Sequence, residues 1–169
     1  AVIRPRPRPA ATHPRRPGPT RRRRPAAVCC MGGAAGALIT AEVLAEIGRL
    51  LAGGTPLVAA NNVHSADIIA FAPAEAVLHV EPPPIDNPLA LALHYGAGLP
   101  LVPLPRSLGL HFDVDTPSDA LVLAVHPRTG PRVRECLAAW SLDTARIRQA
   151  KAALVNPQVD VFVYGRINA

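Results

Sequence analysis

From residue 27 onward, short apolar runs alternate with longer stretches whose apolar residues recur at helical spacing, and this alternation limits the fold more than any other feature. Residues 27–31, 56–60, 67–71 and 101–104 read as strands, as do 110–113 and 159–164. Between them, Thr40 reads as the N-cap of a helix with Val43, Leu44, Ile47, Leu50 and Leu51 on one face, closed by Gly53 and Gly54. Asn87 and Pro88 open a second helix that ends near Gly96 or Gly98. Thr116, Pro117, Ser118 and Asp119 spell a capping box with proline at the first helical position, and residues 131–140 and 144–156 are further helices. Strands interleaved with helices in this way predict an α/β fold. The 4% aromatic content means its core is built from Ala, Val, Leu and Ile.

The 169 residues accommodate one domain, predicted over 26–169, preceded by an Arg/Pro-rich arm over 1–25. The net charge of +6 conceals two parts of opposite sign. The arm holds nine Arg and no acidic residue, whereas the remainder holds nine Lys or Arg against twelve Asp or Glu. Seven prolines without apolar periodicity predict a disordered or polyproline-like arm. It reads as a solvated extension, as a nonspecific contact for nucleic acid or an acidic partner, or as the basic part of an export signal. No span approaches the roughly 20 apolar residues of a membrane helix. Cys29, Cys30 and Cys136 form neither a disulfide framework nor zinc spacing, so a reducing cytoplasm is the expected compartment.

Asp113 and Asp115 are the leading candidates for chemistry. On an extended segment, residues two apart share a face, so both carboxylates can address one cation. With a helix starting at Thr116 and Pro117, they are expected at the carboxyl edge of the sheet, where open α/β folds bind ligands. Magnesium takes one or two carboxylates and completes its shell with water and phosphate oxygens. The plainer reading is that Asp115 only helps start the helix. His111 falls on the same alternating face and is read as a surface or edge histidine or as a phosphate contact. A Ser65, His111 and Asp113 hydrolase lacks the Gly-x-Ser-x-Gly elbow.

The stretch from Ala97 through Gly98-Leu99-Pro100-Leu101-Val102-Pro103-Leu104, followed by Phe112-Asp113-Val114-Asp115-Thr116-Pro117-Ser118-Asp119-Ala120-Leu121, resembles one family. These are the guanylyltransferases that activate phospholactate or phosphoenolpyruvate during synthesis of a deazaflavin coenzyme. The match covers about residues 28–121, and its specific part is the Asp-Thr-Pro segment. The resemblance implies a three-layer sandwich around a mostly parallel, Rossmann-like sheet of the nucleotidyltransferase type. It also implies magnesium-dependent transfer of GMP from GTP to a small phosphorylated acid, with release of pyrophosphate. Asp113 and Asp115 would be the catalytic, metal-holding residues. The family's Gly-Thr-Asn loop corresponds to His64-Ser65-Ala66, so Ser65 with Asn61 and Asn62 would contact the acceptor, as would Asn87 at its helix start.

Three departures accompany the resemblance. The loop Gly32-Gly33-Ala34-Ala35-Gly36 lacks the family's additional metal-binding aspartate. The acceptor-side helix starts Ile85-Asp86-Asn87 in place of the family's Gly and Ser, which puts a carboxylate where an anion is expected. The family's glycine-rich nucleotide loop and its N-terminal half have no counterpart, so the expectation is a chain corresponding to the C-terminal part of that fold. The alternative is a non-catalytic relative, or a binding protein that uses its basic arm.

Overall fold

A computed structural model describes residues 25–84, 88–162 and 164. Most of the basic arm and the predicted N-cap Asn87 lie outside the described residues. The elements run β1 (Val28–Met31), α1 (Ala41–Ala52), β2 (Leu57–Ala60), β3 (Ile68–Ala72), a 3-10 helix (Ala74–His79), α2 (Leu89–Ala97), β4 (Leu101–Pro103), α3 (Leu108–His111), α4 (Pro117–Val125), α5 (Pro131–Ala139) and α6 (Ala145–Leu154). The protein is therefore α/β. Among the described residues no helix is long and apolar enough to cross a membrane.

The strands form one sheet in the order β1-β3-β2-β4. β2 pairs parallel with β4, while β3 pairs antiparallel with both β1 and β2. The expected mostly parallel sheet is thus corrected to a mixed one. The cause is loop length: residues 61–67 join β2 to β3, and a parallel crossover needs a dozen or more residues. The chain must turn back on itself. β1, β2 and β4 consequently run in one direction, with β3 reversed between the first two.

β2 and β3 are buried on both faces, which explains their uninterrupted apolar sequence. Val58, Ala60, Ile69 and Phe71 face Ala90 and Leu93 of α2. Leu57, Ala59, Ile68 and Ala70 face Ile47 of α1, together with Leu104 and Leu110. The sheet is therefore the middle of three layers. Fully burying each Val, Leu or Ile contributes about 1.5–3 kcal/mol, and the small Ala side chains let both helices approach the backbone closely. A third cluster joins Leu38 to Ala120 and Leu123 of α4 and Leu137 of α5. α6 contributes no buried residue.

Local signals in the sequence act as expected at several element ends. Thr40 Oγ1 accepts from Val43 N at the start of α1. α2 ends at Gly98, which adopts a left-handed φ of 70°, a conformation that costs glycine nothing. Three strand expectations need correction. β1 is an exposed edge rather than a buried strand. Residues 110–113 are not a strand: α3 occupies the first two positions, with Phe112 N donating to Leu108 O at 3.0 Å. Of residues 159–164, Val159 to Phe162 and Tyr164 belong to no strand, and Val163 lies outside the described residues.

Candidate functional site

The three co-directional strands bring their carboxyl ends to one edge of the sheet. Gly32 follows β1, Asn61 follows β2 and Leu104 follows β4. The reversed strand β3 begins at the same edge, so Asp67 stands there as well. Gly32 N donates to Asp67 O at 2.8 Å, which ties the glycine loop to the start of β3.

Asn61 organises this edge. Its Oδ1 accepts from Asp67 N at 3.1 Å and from Ile68 N at 3.0 Å, closing the β2–β3 turn. Its Nδ2 donates to Leu110 O at 2.7 Å, which fastens α3 to the turn. Both ends of this buried amide are thereby engaged with the frame. Asn62 Oδ1 accepts from His64 N at 3.1 Å, an Asx turn that shapes the loop tip. Ser65 is half-buried further along the loop, and Asn87 lies outside the described residues.

Beyond Leu110 the chain carries Asp113 to the glycine loop. Asp113 forms a lone antiparallel bridge with Ala35, and Val114 N donates to Ala34 O at 3.1 Å. There is no strand here, so the face shared by His111, Asp113 and Asp115 does not arise from β alternation. Proximity arises another way. The Asp113 carboxyl is pushed up to about 6 by burial, by the charge of Asp67 and a hydrogen bond with it, and by Asp115; His111 acts in the opposite direction. A hydrogen bond between two carboxyl groups requires that the pair carry one proton, which the raised Asp113 value accommodates. Sequence reasoning missed Asp67. Its available signal was its place at the end of the loop that returns β3 to this edge.

Asp115 is exposed. Its backbone N–H, like that of Thr116, donates to Asp119 Oδ2, at 3.1 and 2.7 Å. Asp119 N in turn donates to Thr116 Oγ1 at 3.4 Å, completing the capping box of α4. The Thr116 hydroxyl, donating to Asp119 Oδ2 at 2.8 Å, together with the backbone N–H groups of Thr116 and Asp115, holds the Asp119 carboxyl below its usual range. Helix capping therefore rests on Thr116 and Asp119, and the Asp115 carboxylate is not part of it.

Beside the acidic group lies an open cleft of about 820 Å³, lined by Asn61, Asn62, His64, Arg106, Ser107 and His111 among others. His111 ends α3 with its Nδ1 3.1 Å from Ser107 O; it lines the cleft, and its charge acts on Asp113. The Ser107 hydroxyl is buried without a hydrogen-bond partner among the described residues. Arg106, His64 and His111 in the lining suit a ligand that carries negative charge, and His111 links the cleft to the Asp67–Asp113 pair. Among the described residues no group of three or more His, Cys, Asp or Glu side chains forms a metal cage. Comparison with family models, curated proteins and solved structures finds no match.

Proposed function

We propose that this protein is a nucleotidyltransferase-like enzyme that transfers GMP from GTP to a small phosphorylated acid, phospholactate or phosphoenolpyruvate, releasing pyrophosphate. The observation that carries the proposal is the meeting of Asp67 and Asp113 at the carboxyl edge of β1, β2 and β4, beside the basic cleft. The Asp-Val-Asp-Thr-Pro resemblance supplies the reaction class.

The side chains fit a magnesium ion that arrives with phosphate rather than one held in a protein cage. Magnesium needs only one or two carboxylates. Asp67 and Asp113 are close enough to share a proton, and a dication relieves the same repulsion. Asp67 and Asp113 would hold the ion, with Asp115 adding field. When bound, magnesium would offset charge on the oxygens of the reacting α-phosphate. Arg106, His64 and His111 would bind the acidic acceptor in the cleft and orient its phosphate toward the carboxylates. The Ser107 hydroxyl is available to donate a further hydrogen bond there. Asn61 would position rather than bind, by keeping the turn and α3 in register. The carboxylate that the family places after β1 would here come from Asp67, whose carbonyl accepts from Gly32.

The test is pyrophosphate release from GTP with magnesium and either acceptor. Release is expected from the wild type and is lost in Asp113→Asn/Asp115→Asn. Activity that survives this double substitution removes Asp113 and Asp115 from the chemistry and overturns the metal role proposed for Asp113. No release with either acceptor leaves a non-catalytic relative.

A further inference from the structure

The two edges of the sheet are defended unequally. β4 carries Pro103, and Pro100 and Pro105 flank it, so its outer edge offers few donors to another strand. β1 has no such protection. Its sequence Val-Cys-Cys-Met contains no proline and no charge, and its outer edge is unpaired among the described residues. Cys29 and Cys30 are exposed, and Met31 is 44% exposed.

A second element complements this edge. Residues 159–162, Val-Asp-Val-Phe, have the composition of a strand, yet they belong to none. Val159 and Val161 are about half exposed and Phe162 is 89% exposed. β-branched and aromatic side chains gain little from an irregular solvated path and much from a pleated, half-covered surface. The segment has four residues, as does β1. One copy of the chain thus presents both an unfilled edge and a strand without a sheet.

We propose that residues 159–162 of one copy add as an outer strand to β1 of a second copy. Main-chain hydrogen bonds along the β1 edge supply the pairing, as in other cases of strand addition. Strand alternation puts Val28 and Cys30 over the α2 side of the sheet, because they pair with Phe71 and Ile69. Cys29 and Met31 lie over the α1 side, opposite Ala70 and Ile68. The incoming Val159 and Val161 fall on one of these sides, which gains apolar cover, and Phe162 falls on the other beside Asp160.

The experiment joins a cross-link to a mass measurement. Val161→Cys is introduced together with Cys136→Ser, and copies with natural and heavy nitrogen are mixed, oxidised and digested. The expected result is a disulfide between the introduced thiol and Cys29 or Cys30 that carries both labels. Sedimentation of the unsubstituted chain is expected to show a dimer whose dissociation constant rises at least tenfold in Val161→Pro. Position 161 lies on exposed, irregular chain, so circular dichroism of Val161→Pro should be unchanged. Single-label cross-links only, no cross-link, a monomer at every concentration, or a dimer indifferent to Val161→Pro each overturn the proposal.

Discussion

The side chains of Asp113 and Asp67 are hydrogen-bonded to each other, joining the end of the β2–β3 turn to the segment that enters α4. Burial is the largest cause of the raised Asp113 value and Asp67 the next. Removing the Asp67 charge should therefore lower the titration midpoint without restoring an ordinary carboxylate. Carboxyl carbon NMR on Asp67→Asn is expected to show a midpoint below that of the wild type. An unchanged midpoint would leave burial and the charge of Asp115 as the causes.

The same group predicts a pH dependence of stability. The folded value of about 6 lies above the roughly 3.9 of an unfolded aspartate. Relative to a neutral residue, the stabilising contribution is complete below the unfolded value and is lost as pH rises through about 6. Asp113→Asn should therefore melt higher than the wild type at pH 7.5, with the gap closing on acidification to pH 4. Thermal melts at a series of pH values check this. A gap that widens in acid contradicts the assigned direction.

Asn61→Ala would remove three hydrogen bonds at a buried position and strand two backbone donors and a carbonyl. The expected cost is about 2–4 kcal/mol in urea unfolding, because unsatisfied buried groups keep their desolvation penalty. A loss below about 1 kcal/mol would mean that water replaces the amide.

Gly109→Ala tests how α3 is seated. A Cβ at Gly109 would stand 2.9 Å from Leu38 O and 3.2 Å from Ile39 Cα, both backbone atoms. α3 must then move away, at an expected cost of about 1–3 kcal/mol. The amide resonances of His111 and Asp113 should shift together, since both follow from the seating of α3. Native stability with unmoved resonances would show that the contact yields freely.

The parts of this arrangement that sequence could disclose are those encoded by neighbours along the chain. Thr40 beneath α1, Gly98 after α2 and the Thr116–Asp119 box are short-range hydrogen-bond or backbone requirements, so the residue types announce them. Strand direction is different. Apolar alternation looks the same in a parallel or a reversed strand, and only the length of the 61–67 turn carried that information. Residues 110–113 look extended because Leu110 and Phe112 alternate with polar residues, yet Leu110 is buried from a helical turn fastened by Asn61. For the same reason Asp113 was legible as a candidate through its local motif, while Asp67 was not. Its meeting with Asp113 depends on the reversal of β3, which is a tertiary event.

Magnesium titration followed by carboxyl carbon NMR tests the claim that this pair receives a cation together with phosphate. With GTP present, added magnesium should carry the Asp113 midpoint from about 6 down into the ordinary aspartate range, and Asp67→Asn should weaken that response. A midpoint that stays near 6 at saturating magnesium and GTP would contradict the account.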